Sequence, residues 1–130
     1  MPNADRVALD THPYLCFSGQ STAPMSTYAR TPCTTWGGLV NNSMAAFGLT
    51  TAGEFSNAVT DCGLFLNGVN LGTRYEGTYP GVWPRLGSCT TWTDYQKYDI
   101  ATKADIRQFA LASMDALQVA FFVLCPFASF

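Results

Sequence analysis

Charge is what this sequence has least of. Lys, Arg, Asp and Glu make up 12% of its 130 residues, about half the usual share. Seven basic and nine acidic side chains leave a net charge of −2. No basic stripe exists to track phosphates, so a nucleic-acid partner is not expected. Histidine occurs once, as His12. No two cysteines form a CxxC pair, and no metal site is expected. GxGxxG, a P-loop, HExxH and a Ser-centred elbow are all missing, so nothing points to a nucleotide or other cofactor. The apolar run VAFFVLCPFASF, residues 119–130, falls short of the roughly 20 residues needed to cross a bilayer, and no membrane partner is expected. The opening MPNADRVALD has neither the basic nor the apolar stretch of a secretory leader.

What is present is apolar and small-polar. Hydrophobic residues are 48% of the chain and aromatics 14%, enough for one domain with a core. Cys16, Cys33, Cys62, Cys89 and Cys125 are an odd set that leans towards an oxidising compartment. Asn41-Asn42-Ser43 is a glycosylation sequon for Asn41, usable on a secreted chain.

Arg6 to Phe17, RVALDTHPYLCF, begins apolar and turns polar at Asp10, Thr11 and His12. That pattern predicts a buried strand with functional groups at its C-terminal tip, stopped by Pro13. Residues 18–35 read as loop. Trp36, Leu39, Val40, Met44 and Phe47 have helical spacing, with Gly48 as the stop. Leu49 to Phe55 is a second strand ending near Glu54. Residues 61–67 read as a helical turn and 68–100 as a long irregular region. Thr102-Lys103-Ala104-Asp105 resembles a capping box ahead of a helix with an Ile106, Phe109, Ala110, Met114, Leu117 stripe. Strand, helix, strand and helix in this order predict an α/β fold with parallel strands and its site at their C-terminal tips.

The candidates for chemistry are His12, Tyr14 and Glu54, with Asp10 and Glu76 behind them. Spacing alone leaves the plain alternatives open. His12 and Tyr14 could be packed residues, Glu54 could cap the segment after it, and Glu76 could pair with Arg74.

The order LDTHPY (9–14), TAGEFSNAVTDCGLFLNGVN (51–70), GTRYEG (72–77), LGSC (86–89) and ADIRQFALASMDALQ (104–118) resembles the C-terminal part of the fungal exo-β-1,3-glucanases of glycoside hydrolase family 5. The resemblance implies a fragment of a TIM (β/α)8 barrel, about strands 6 and 7 with their helices. Residues 1–118 would be this portion. The tail 119–130 would be an unrelated apolar stretch where the family has strand 8. It implies a retaining glycosidase acting on β-1,3-glucan, extracellular or in the cell wall, without metal or cofactor. Glu54 matches the family's nucleophile, and His12 and Tyr14 match substrate-binding positions. Cys62 and Cys89 match positions that pair in a disulfide. Cys33 matches one whose partner the chain lacks, and Cys16 and Cys125 have no evident mates. Retaining chemistry needs a second carboxyl roughly 5–5.5 Å from the first. The family carries it in an Asn-Glu-Pro motif, and no Asn-Glu dipeptide occurs here. The resemblance therefore implies a fragment that is inactive alone. The rival is a non-catalytic glucan-binding or secreted interaction protein using Tyr75, Tyr79, Trp83 and Trp92 as sugar platforms.

Overall fold

The computed structural model describes residues 7–17 and 19–118. The tail 119–130 and Cys125 lie outside the described residues. Strand β1, Leu9–Thr11, pairs in parallel with β2, Thr50–Ala52, in the register Leu9↔Thr50, Asp10↔Thr51, Thr11↔Ala52. The Leu49 carbonyl accepts from the Leu9 amide at 2.9 Å and extends the ladder by one bond. Among the described residues the sheet has these two strands. The first strand is not buried as its apolar start predicts. Leu9 is 38% exposed and Val7 44%.

Between the strands the chain turns once in a short 3-10 segment, Met25–Thr27, and then enters a helix earlier than the apolar spacing indicates. Its first part, Pro32–Gly37, is a wide π turn that runs on into α1, Gly38–Ala46. Pro32 suits this start, since the amide it lacks would have no intrahelical partner. The helix ends where Gly48 predicts, with that glycine at φ +129° in the left-handed region open to it. The Ser43 and Thr50 hydroxyls, 2.7 Å apart, tie α1 to the start of β2.

Helix α2, Ile100–Ala116, closes the core. Its N-cap is Asp99, whose carboxylate accepts from the Thr102 amide at 2.6 Å. The helix thus starts three residues ahead of the predicted box at Thr102. The buried stripe is Phe109, Ala112, Ser113, Ala116 and Leu117, rotated from the apolar stripe in the sequence towards small residues. Small side chains serve here because Gly37 comes close: a Cβ on Gly37 would sit 3.7 Å from that of Ala116. The core is Met25, Trp36, Val40, Val59, Phe109, Ala116 and Leu117, with the Trp36 and Phe109 rings edge to face at 5.8 Å.

The two bonds to Asp99, from the Thr102 amide foremost and from the Thr102 hydroxyl next, hold its carboxyl below the ordinary carboxylate range. A depressed folded-state value stabilises the helix above the unfolded value, about 3.9, and that help is lost as pH falls through the lower folded value. Acidification below about pH 4 should therefore fray the first turn of α2 before the rest. Asp99→Ala should abolish that pH dependence. Amide exchange at Thr102 and Lys103 measured against pH checks it.

Residues 61–92 form a second unit of turns rather than the predicted helical turn. Gly63–Leu66 and Phe65–Gly68 close by turn hydrogen bonds of 3.0 and 2.9 Å. The unit is organised by Asp61, which is 0% exposed. One of its oxygens accepts from the Arg74 amide at 2.7 Å and the Asn67 amide group at 2.9 Å; the other accepts from the Tyr75 amide at 3.1 Å. The Arg74 guanidinium lies 3.6 Å from the same carboxylate and donates to the Asn67 Oδ1 at 3.0 Å. Arg74 therefore pairs with Asp61, not with Glu76. Glu76 instead accepts from the Cys89 amide at 2.7 Å and the Ser88 hydroxyl at 3.3 Å. Cys62 and Cys89 form a disulfide, packed with Tyr75. Cys33 is also disulfide-bonded, which corrects the expectation that it lacks a mate. Cys16 is a buried free thiol whose pKa burial pushes up. Trp92 packs against both this cluster and the main core and joins the two.

Candidate active site

The parallel pairing decides which side chains can meet. Both strands run the same way, so the residues just after Thr11 and just after Ala52 leave the sheet at the same end. Those residues are His12 to Tyr14 on one side and Gly53 and Glu54 on the other. The Tyr14 hydroxyl donates to Glu54 Oε2 across a sequence gap of 40 residues. Tyr14 is steadied by the Phe17 ring, edge to face at 5.5 Å. The hydrogen bond to Glu54 is the main cause that raises the Tyr14 pKa above its ordinary value, with burial second. The phenol therefore keeps its proton at neutral pH and stays a donor to the carboxylate.

His12 is tied to Asp10. Its Nε2 lies 2.9 Å from Asp10 Oδ2, and the other Asp10 oxygen accepts from the Gly53 amide at 2.6 Å. The His12 bond, then the Gly53 bond, hold the Asp10 carboxyl below its usual range. The sequence shows Asp10 only as a reserve candidate; its position opposite Thr51 is what brings it to the Gly53 amide. Glu54, His12 and Asp10 are all exposed, so the group is open to a ligand.

The remaining site candidates lie apart from this group. Glu76 is engaged with Ser88 and Cys89 in the loop unit. Asn41 lies within α1, where its side-chain oxygen accepts from the Gln118 amide at 3.0 Å. Ser43 of the same sequon is engaged with Thr50. Arg74 stands over the Tyr79 ring at 4.2 Å and the Trp83 ring at 5.3 Å. The indole of Trp83 donates to the Pro80 carbonyl at 3.2 Å. Among the described residues no helix is long and apolar enough to cross a membrane.

In class, then, the described residues form a small α/β unit of two α-helices and an open two-stranded parallel sheet, with a carboxylate, a phenol and an imidazole at the C-terminal strand tips. No protein-family model matches the chain. Among curated proteins it is similar to the probable glucan 1,3-beta-glucosidase D of Aspergillus clavatus, 32% identical over 128 residues, which is 88% of this chain and 15% of that protein. The protein of the same name from Aspergillus flavus is 40% identical over 79 residues, 58% of this chain and 10% of the relative. The glucan 1,3-beta-glucosidase of Lachancea kluyveri is 32% identical over 118 residues, 87% of this chain and 26% of the relative. The chain is homologous to a segment of these longer glucosidases and spans between 10% and 26% of their length.

Proposed function

We propose that residues 1–118 are the C-terminal portion of a fungal exo-β-1,3-glucanase barrel of glycoside hydrolase family 5, with β1 and β2 as its sixth and seventh strands. In this reading Glu54 is the nucleophile of a retaining glucosidase, and His12 and Tyr14 bind the sugar. The extracellular space or cell wall is its place of action and β-1,3-glucan its substrate. The observation that carries the reading is the bond from Tyr14 to Glu54 across the tips of two parallel strands.

The geometry supports a defined first step. A carboxylate held by a phenol donor is oriented and free to attack. A Glu54 oxygen forms a bond to the anomeric carbon. The bond from that carbon to the leaving oxygen breaks, and the leaving oxygen takes the electron pair. The product is a glycosyl ester on Glu54. With natural glucan the leaving oxygen also needs a proton from a second carboxyl. Asp10 is a carboxyl at the strand tips, bonded to the Gly53 amide, but its donors favour the ionised form, the opposite of what a general acid requires. Glu76 is tied into the loop unit. This chain alone is therefore expected to leave laminarin intact.

The test removes the need for the acid. A 2-deoxy-2-fluoroglucoside with a dinitrophenolate leaving group departs without a proton, and the fluorine slows hydrolysis of the ester. Peptide mapping should find the sugar on Glu54, and Glu54→Gln should remove the label. A folded chain that remains unlabelled, or is labelled at Asp10, overturns the assignment.

The glucan-binding alternative has less support. Tyr75 is buried, Tyr79 and Trp83 are stacked on Arg74, and Trp92 joins the two cores. Tyr75 and Trp92 thus serve the packing of the loop, and Trp83, 42% exposed, is engaged with Arg74 and the Pro80 carbonyl.

A further inference from the structure

We propose that Asp10 is a positioning residue whose carboxylate clamps the Gly53–Glu54 end of β2 to the His12–Tyr14 end of β1 and so sets the reach from Tyr14 to Glu54. This rests on the reading of Glu54 as nucleophile, and the clamp is testable apart from it. The strand pairing stops at Thr11↔Ala52, so the next amide, that of Gly53, has no strand carbonyl to donate to. Asp10 Oδ1 takes that amide at 2.6 Å, and the side chain thereby continues what the backbone ladder leaves off. Its second oxygen is 2.9 Å from His12 Nε2. One carboxylate thus grips both strand ends, at His12, two residues before Tyr14, and at Gly53, next to Glu54.

The glycine is part of the device. A Cβ at residue 53 would lie 2.6 Å from Asp10 Oδ2 and 2.9 Å from Oδ1, closer than real Cβ contacts allow, so a side chain at residue 53 would make the carboxylate shift from this position. His12 is the titratable group that bears on Asp10 from its own strand; from β2 Asp10 meets the Gly53 backbone. Hydrogen bonds to an ionised acceptor are the strong kind, and the lowered Asp10 pKa agrees with two such donors.

The experiment uses the full chain, isotope-labelled for NMR, as wild type, Asp10→Ala, Asp10→Asn and Gly53→Ala. Two readouts are followed: exchange of the Gly53 amide near pH 6, and the ionisation of the Tyr14 phenol. Asp10→Ala should speed Gly53 exchange at least about tenfold, the size expected from losing one charge-assisted bond, and should bring the Tyr14 ionisation down towards its ordinary value of about 10. Gly53→Ala should do the same by pushing the carboxylate away. Asp10→Asn retains an oxygen acceptor without the charge and should lose clearly less than Asp10→Ala in both readouts. Exchange in α2 should be unchanged in every variant, which separates a local clamp from general unfolding. Unchanged Gly53 exchange and Tyr14 ionisation in Asp10→Ala overturn the clamp, and so does equal loss in Asp10→Asn and Asp10→Ala. If Gly53 and Tyr14 respond while Glu54 takes no fluorosugar, the nucleophile reading fails and the clamp stands. If Glu54 is labelled and neither group responds, the clamp alone fails.

Discussion

Replacing Asp61 with alanine is expected to lower the unfolding free energy by about 3–5 kcal/mol, the usual result of removing one partner of a buried ion pair. The reason is what the carboxylate leaves behind. The amides of Arg74 and Tyr75 and the Asn67 side chain donate to it, and the Arg74 guanidinium lies 3.6 Å away as its counter-charge. Buried donors without an acceptor each carry a desolvation penalty of about 1–3 kcal/mol. Asp61→Asn keeps one acceptor and should lose less. For a domain whose whole stability is roughly 5–15 kcal/mol, the alanine variant sits close to unfolding. Urea denaturation of the wild type and both variants would show it. A loss below about 1 kcal/mol for Asp61→Ala would mean that these hydrogen bonds are exchanged for water at little cost.

The second large effect lies in the main core. Phe109 is 0% exposed, faces Trp36 edge to face and sits at the centre of the apolar cluster. Phe109→Ala should cost about 3–5 kcal/mol, from lost transfer energy and the cavity left behind. Phe109→Leu fills most of that space and should cost much less. A thermal scan should show a midpoint lower by roughly 10–20 °C for alanine. Equal midpoints for Phe109→Ala and Phe109→Leu would mean that the cavity collapses. Because Trp92 packs against both clusters, Asp61→Ala and Phe109→Ala should not be fully additive when combined.

Much of this was readable in the sequence, for reasons that differ from element to element. The helix stop at Gly48 and the parallel strand pair follow from local rules, because a positive-φ glycine and an apolar run ending in polar groups announce themselves within a few residues. His12, Tyr14 and Glu54 stand out in the sequence as candidates, but the roles proposed for them come from a resemblance; a separation of about 40 residues carries no local signal of contact. The clamp role of Asp10 depends on register, on Asp10 facing Thr51, and register is a tertiary property. Asp61 looked like one more acidic residue, since its partners come from as far as 14 residues along an irregular loop. The cap at Asp99 was misplaced because Thr102 also looks like a cap. The structure uses Thr102 as the donor to Asp99 instead. The pairing of Glu76 with Arg74 was a neighbour argument, and in the structure the two have different partners, Ser88 and Cys89 for Glu76 and Asp61 and Asn67 for Arg74.

The parallel pairing also fixes an order of events. Leu9 meets Thr50 and Tyr14 meets Glu54 across separations of about 40 residues, whereas α1, α2 and the turns of the loop unit close over a few. Closing a long loop costs entropy before any contact rewards it, and such contacts form late and slowly. The helix enclosed in that loop has to form and shorten the path first. By the same rule the docking of α2 comes later still, since the Trp36–Phe109 contact and the Gln118–Asn41 bond close loops of more than 70 residues.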